Sequence, residues 1–166
     1  MKKISICVTV IFIVAIGLVK NYFENDGSTI EKREIIVSSK IEDAEIISEI
    51  LVDNSIISQI QKGNQNGFVV FKRKEDKYVY DSYAITSADV LKHLICVGNR
   101  YYYVLVCNKP QLERVKIVFY VPDSSCVIEQ KDIKLNGNTM CITELPDSNN
   151  FSFEVTFYDT NGNVFK

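Results

Sequence analysis

The hydrophobic pattern begins with sixteen uncharged residues, 4–19, which lie between Lys2-Lys3 and Lys20. Sixteen helical residues span about 24 Å, which is less than the hydrocarbon core of about 30 Å. Tyr22 and Phe23 stand where interfacial aromatic residues are found, and the flanking lysines can extend toward the headgroups. The pattern therefore predicts a transmembrane helix, with residues 1–20 as a signal-anchor.

A cleaved signal peptide is the alternative interpretation of this segment. Ala15 and Gly17 are the only small residues that suit a cleavage site, and cutting there leaves an apolar new terminus. The anchor accounts for the whole apolar run, so we favour it. Lys and Arg are nearly balanced around the run, and the order of basic then apolar residues at the N-terminus decides the orientation. We expect the bulk of the chain to be extracytoplasmic at the cell membrane.

Two segments separate the anchor from the strand-rich part of the chain. Residues 21–40 predict a polar stalk, in which 35–37 form either a strand or more of the stalk. Apolar residues in 42–52 recur at i, i+1, i+4 and i+5, and isoleucines up to residue 60 continue this spacing. That spacing predicts a short amphipathic helix, although β-branched isoleucines also suit strands.

From residue 63 onward the pattern changes to short runs with a period of two, separated by polar turns. These runs predict strands at 68–71, 78–83, 101–106, 115–121 and 151–157. In the last of them Phe153, Val155 and Phe157 share one face, which we expect to pack against Ile117 and Phe119.

Two local signals add detail to this part of the chain. Asn136-Gly137 predicts a hairpin between 133–135 and 140–142. Ser87 is a suitable N-cap, which predicts a short helix over 87–94. Short strands with turns every 8–12 residues are typical of an antiparallel Ig-like β-sandwich. We therefore expect residues 41–166 to form one mainly β domain of this type.

The charge balance excludes one class of partner. Of the 19 basic residues, three flank the apolar run, which leaves 16 basic against 21 acidic residues in the rest of the chain. A net charge of about −5 offers no basic surface for nucleic acid or anionic headgroups. We expect no nucleic acid among the partners.

The cysteines support two interpretations. Cys7 lies in the apolar run, and the candidate disulfide cysteines are Cys96, Cys107, Cys126 and Cys141. Four cysteines in an oxidising compartment allow three pairings. Each is equally well explained as a small buried hydrophobic residue.

Groups that could carry catalysis or hold a metal are scarce. His93 is the only histidine, and with Cys96 three residues away it could form a nucleophilic pair. The simpler interpretation is a surface histidine near a buried thiol, which we favour. No cysteines have C-x2-C spacing, and residues 159–162 match only half of a calcium loop. We predict no catalytic residues, metal or cofactor.

Tyrosines are the best candidates for a contact surface. Tyr101 and Tyr103 share one face of their predicted strand, and Tyr78 and Tyr80 lie on an earlier strand. Exposed tyrosines bury a large area at a low cost in conformational entropy, which suits a binding surface. Packing between neighbouring strands is the competing interpretation, and we favour it.

The order of these segments resembles that of small membrane-anchored extracytoplasmic β-domain proteins of Gram-positive bacteria. The matching stretches are 67–71, 104–110 with Val115, and 155–162. The resemblance covers about residues 60–166 and implies no activity, because proteins of this kind have no assigned function. We expect a non-enzymatic binding module that contacts an envelope protein or a cell-wall component. The alternative is an envelope hydrolase or thiol enzyme that uses His93 with a cysteine.

Overall fold

The computed structural model describes residues 26–107, 109, 111–135, 139–147 and 150–165. The predicted anchor and Cys7 lie outside these residues. Within the described part of the chain, no helix has the length and apolar character needed to cross a membrane. Two compact units are present: the first comprises residues up to Gly63 with Val69–Tyr83, and the second comprises Asn64–Phe68 with the chain from Ala84 onward. The range 41–166, predicted as one domain, is thus divided between them.

The first unit contains a helix and most of a four-stranded sheet in the order β1-β2-β3-β4. The helix is α1 (Ile30–Lys40), and the strands are β1 (Glu45–Val52), β2 (Ser55–Lys62), β3 (Gln65–Lys74) and β4 (Lys77–Thr86). The predicted strands 68–71 and 78–83 are confirmed as parts of β3 and β4.

The amphipathic helix predicted over 42–60 is wrong, because this segment forms the hairpin of β1 and β2. Its aliphatic residues pair across the two strands, with Ile46 opposite Ile60 and Ile50 opposite Ile57. Asp53 begins the connecting turn with a φ of 48°. A run of isoleucines satisfies a helical stripe and a strand ladder equally well, and pairing with the second strand decides between them.

Residues 30–40, which lie in the second half of the predicted stalk, form helix α1. The Thr29 side chain caps this helix by accepting a hydrogen bond from the backbone N–H of Lys32 at 3.4 Å. Arg33, Ile36 and Val37 are buried at i, i+3 and i+4. A buried stripe of three residues is too short to stand out in the sequence, which explains why the helix was missed.

A buried ion pair joins α1 to the sheet. The Arg33 guanidinium donates from Nε to Glu49 Oε1 at 2.8 Å and from Nη2 to Glu49 Oε2 at 2.5 Å. Its Nη1 donates to the Gly27 carbonyl oxygen at 2.6 Å, and Ser58 donates its hydroxyl to Glu49 Oε1 at 2.6 Å. The geometry is the bidentate form in which guanidinium and carboxylate bind most strongly.

The second unit contains two three-stranded antiparallel sheets, in the orders β5-β6-β9 and β10-β7-β8. Their strands are β5 (Val90–Val97), β6 (Arg100–Cys107), β7 (Leu112–Tyr120), β8 (Val127–Lys134), β9 (Met140–Glu144) and β10 (Ser152–Asp159). The chain is thus mainly β with antiparallel sheets, as the sequence predicts. The strands expected at 101–106, 115–121 and 151–157 correspond closely to β6, β7 and β10.

The two sheets of the second unit enclose one apolar core and form a β-sandwich. Tyr103 of β6 packs edge-on against Phe153 of β10, with ring centroids 4.9 Å apart. Phe119 is fully buried, and Phe153 lies opposite it in the ladder. The predicted face of β10 is correct, although its apolar residues are only partly buried against this core.

Two local predictions in the second unit are wrong. The strands on either side of Asn136-Gly137 do not form a hairpin, because β8 pairs with β7 and β9 pairs with β6. The helix expected over 87–94 is absent, and Val90–Val97 is strand β5. At Asn136-Gly137 the local turn signal is overridden by pairing of the two strands in different sheets, and after Ser87 the cap signal is overridden by the tight hairpin that β5 forms with β6.

Replacing Glu49 with glutamine should destabilise the protein, because the Arg33 guanidinium then stays buried without its carboxylate partner. Removing one partner of a buried ion pair costs about 3–5 kcal/mol, and we expect about 3 kcal/mol because the Glu49 side chain is 18 % exposed. Urea unfolding of the purified full-length protein measures this change. Glu34→Gln, at an exposed position of α1, is the matched control.

Acid should weaken the same contact. Burial raises the pKa of Glu49, but hydrogen bonds from Arg33 and Ser58 lower it more, so the pKa lies below its ordinary value of 4.5. The carboxylate therefore stabilises the fold above about pH 4.5, and this contribution is lost as the pH falls through the lower folded-state pKa. The free energy of unfolding, measured between about pH 6 and about pH 3, should fall less in Glu49→Gln than in Glu34→Gln. Identical curves would contradict the role of the ion pair.

Candidate binding cleft

A cavity of about 340 Å³ opens at one end of the sandwich, where the β5–β6 turn meets the chain that leaves β9. We call it the Tyr101 cleft. Its lining residues come from three segments of the second unit: Asn99, Arg100, Tyr101, Glu144, Leu145, Pro146, Asp147 and Phe151. Asn99 and Phe151 are 52 positions apart in the sequence, so the cleft exists only in the folded chain.

Backbone and side-chain contacts hold the segments of the cleft together. The backbone N–H of Leu145 donates to the Tyr101 carbonyl oxygen at 2.9 Å. Lys131, on β8, donates from Nζ to the Glu144 carbonyl oxygen at 2.5 Å, which ties the end of β9 to the other sheet. Phe151 packs edge-on against Phe119 of the core, with ring centroids 5.5 Å apart. The apolar part of the lining is therefore continuous with the buried core.

An ion pair and an exposed aromatic ring form the rim. Arg100 Nη1 lies 3.4 Å from Glu144 Oε1, and both side chains are solvent-accessible. An exposed pair of this kind contributes little to stability, at most about 1 kcal/mol. Its main effect is local neutralisation, since one carboxylate of the cleft has a guanidinium beside it. Tyr101 is 61 % exposed, although it belongs to a strand whose other residues are mostly buried.

The exposed tyrosine continues into an apolar strip on β5. Cys96 lies directly opposite Tyr101 in the β5–β6 ladder, and Leu94 lies two residues before Cys96 on the same face. Both are exposed, and Leu94 retains 51 % of its accessible surface. The Tyr101 cleft is therefore flanked by a strip of apolar surface, the usual character of a contact site.

The four tyrosines that the sequence suggests for a contact surface lie in different environments in the structure. Tyr101 is exposed, but Tyr103 is 5 % exposed and lies in the core against Phe153, so its assignment to a binding surface is corrected. Burial, and then the nearby Cys141 thiol, raise the pKa of Tyr103. Tyr78 and Tyr80 belong to the first unit and are partly buried there. Alternation placed Tyr101 and Tyr103 on one face correctly, but it could not show that the core ends between them.

The structure contains no disulfide among the four described cysteines, of which two are exposed (Cys96 and Cys126) and two are buried (Cys107 and Cys141). Cys141 lies opposite Leu105 in the β6–β9 ladder, so Cys107 is its diagonal neighbour on the same face. Diagonal neighbours are about 7–8 Å apart, which exceeds the Cα separation that a disulfide normally spans. The register therefore disfavours a Cys107–Cys141 bond, and a disulfide elsewhere stays a prediction.

His93 is separated from the cysteines of its own sheet. It pairs with Val104, whereas Cys96 pairs with Tyr101 three residues along β5, on the opposite face. Cys107 and Cys141 share the face of Cys96 by the same alternation. His93 is exposed, and its ring lies 5.5 Å from that of Phe68. The sheet itself thus stands between His93 and three of the four described thiols.

Most residues of the cleft could not be identified from the sequence. Arg100, Glu144, Asp147 and Phe151 carry no motif, and no local spacing connects them. Two turn signals were nevertheless present: Gly98-Asn99, where Gly98 has a φ of 60°, and Pro146-Asp147. Turn residues next to a run of aromatic residues indicate a loop that can carry a site. These two turns are the features of the sequence that point to the cleft.

Thiol reactivity should divide the described cysteines into two classes. Burial raises the pKa of Cys107, and burial together with the Cys107 thiol raises the pKa of Cys141 to about 12. Because the thiolate is the reactive form, N-ethylmaleimide at neutral pH should alkylate Cys96 and Cys126 in the reduced native protein and spare the buried pair. Mass spectrometry of the digested peptides measures each rate, and urea-unfolded protein is the control. Rapid native alkylation of Cys141 would show that it lies outside the core.

The chain matches no protein-family model, no curated protein and no solved structure. The function of the cleft is therefore argued from its own side chains and their geometry.

Proposed function

We propose that the chain is a membrane-anchored, extracytoplasmic binding module without catalytic activity. Its ligand, an envelope protein or a cell-wall component, contacts the Tyr101 cleft. The observation that carries the proposal is the 61 % exposure of Tyr101 beside a cavity lined by charged and amide side chains. A tyrosine in that setting offers a large contact area, a hydrogen-bonding hydroxyl and few rotatable bonds to immobilise.

The topology of the second unit supports an Ig-like sandwich. Strands β5 and β6 pair as neighbours in the sequence, as do β7 and β8, while β9 returns beside β6 and β10 returns beside β7. Two pairs of neighbouring strands with returning strands in both sheets make the Greek-key arrangement of Ig-like domains. The loops at the ends of such sandwiches are common binding sites, and the Tyr101 cleft is built from two of them.

The sequence pattern supports the location. Residues 4–19 are long and apolar enough to anchor the chain once their flanking lysines and aromatic residues are included. The resemblance to small anchored extracytoplasmic β-domain proteins of Gram-positive bacteria agrees with this placement. The enzyme alternative gains no support, since the sheet stands between His93 and the cysteines nearest to it in the fold.

Photo-crosslinking from position 101 tests the binding function. Full-length protein carrying p-benzoylphenylalanine in place of Tyr101 is irradiated in intact cells, and the adducts are identified by mass spectrometry. We expect adducts with an envelope protein or with cell-wall material, because the ring at this position faces the proposed ligand.

The matched control is the same replacement at Tyr83, a tyrosine of the first unit that is 47 % exposed. Position 83 should give few adducts or different ones. Equal adducts from both positions, or none from position 101, would contradict a ligand at the Tyr101 cleft.

Protease treatment of intact cells tests the orientation. If residues 4–19 anchor the chain with its bulk outside, added protease should remove a C-terminal epitope tag while cytoplasmic proteins stay intact. The physical reason is that the described units then lie on the accessible side of the bilayer. A tag that survives until the membrane is opened would reverse the orientation.

A further inference from the structure

We infer that the Tyr101 cleft binds a neutral saccharide, either a single sugar or the end of a glycan chain. The inference rests on the proposed binding function and names the chemical class of its ligand. Three properties of the cleft carry it: its apolar surface, the hydrogen-bonding groups around that surface, and the pairing of charge at its rim.

The apolar surface has the right form for a sugar ring. The exposed Tyr101 ring, the Phe151 ring and the Leu145 side chain line one cavity. Phe151 is held in place by its edge-on contact with Phe119, so this part of the surface is pre-organised. A pyranose presents a face of C–H groups, and such a face packs well against an aromatic ring.

The polar side chains of the cleft supply both donors and acceptors. The Arg100 guanidinium donates, the Glu144 and Asp147 carboxylates accept, and the Asn99 amide does both. Each sugar hydroxyl is also both a donor and an acceptor. Neighbouring hydroxyls of one ring can therefore match a planar carboxylate or guanidinium in a bidentate manner.

The arrangement of charge disfavours an anion most. An anion would face the Glu144 and Asp147 carboxylates, and a cation at Glu144 would compete with Arg100, which already lies 3.4 Å from that carboxylate. An apolar ligand would bury the polar groups without hydrogen-bond partners, which is costly. A neutral ligand rich in hydroxyls avoids these penalties and can hydrogen-bond to both carboxylates.

The size of the cavity limits how much of a glycan enters. Small-molecule sites measure about 300–1,000 Å³, and the Tyr101 cleft, at about 340 Å³, is at the small end. It suits one sugar residue, with the remainder of a chain extending outside. The exposed strip of Leu94 and Cys96 lies beside Tyr101 and can contact that remainder.

Titration calorimetry with defined sugars tests the inference. The full-length protein, in a detergent without a sugar headgroup, is titrated with triacetylchitotriose, cellotriose and maltotriose. We expect at least one of them to bind, and Tyr101→Ala to weaken its binding by about tenfold or more, as expected for a central aromatic contact. Tyr83→Ala, at an exposed tyrosine outside the cleft, should leave the Kd unchanged.

Asn99→Ala is a second cleft variant, at an exposed turn residue, and it should also weaken binding if Tyr101→Ala fails to fold. No binding of any probe at about 10 mM, a concentration that detects a Kd of about 1 mM, would overturn the inference. Binding that neither cleft variant changes would also overturn it, because the sugar would then occupy another surface. If no sugar binds but position 101 still crosslinks to an envelope protein, the saccharide is wrong and the binding function stands. If both experiments fail, the proposed function fails as well.

Discussion

The burial of β6 on both faces is the constraint on which the second unit depends. All six residues from Tyr102 to Cys107 are buried, so this strand must lie between neighbours and beneath cover on each side. It does so between β5 and β9, and its inner face meets the β10-β7-β8 sheet through contacts such as that of Tyr103 with Phe153. A strand buried in this way can carry charged or hydrated groups only at its ends. Arg100 and Tyr101 stand at the first of those ends, and the cleft forms there.

Position in the sheet also separates His93 from three of the described thiols. Strand alternation places His93 on one face of the β5-β6-β9 sheet and Cys96, Cys107 and Cys141 on the other. The buried thiols have raised pKa values because burial disfavours the thiolate, which makes them poor nucleophiles. The accessible groups that line the Tyr101 cleft include an aromatic ring, an amide, an ion pair and the Asp147 carboxylate.

In the first unit, a polar contact holds a short helix against the sheet. Helix α1 is eleven residues long and buries only Ile36 and Val37 as apolar side chains. A helix so short is marginal without tertiary contacts. The bidentate Arg33–Glu49 pair, supported by Ser58 and the Gly27 carbonyl, positions it on the sheet. This contact joins residues sixteen positions apart, so no helical or strand periodicity reveals it.

What the sequence by itself determined is that the chain is mainly β and which face of the clearest strand, β10, points inward. Alternation of side chains along a strand is a local property, so it can be read without knowing the strand's partners. The sequence did not determine the partners. The isoleucines of 42–60 suited a helix until β1 paired with β2, and Asn136-Gly137 suited a hairpin although its flanking strands belong to different sheets. Only the tertiary structure decided those pairings, and with them the Tyr101 cleft. The physical reason is that partner and register are set by the burial of whole apolar faces against other strands, whether near or distant in the sequence. This gain in free energy exceeds the preference of any single turn or helical stripe.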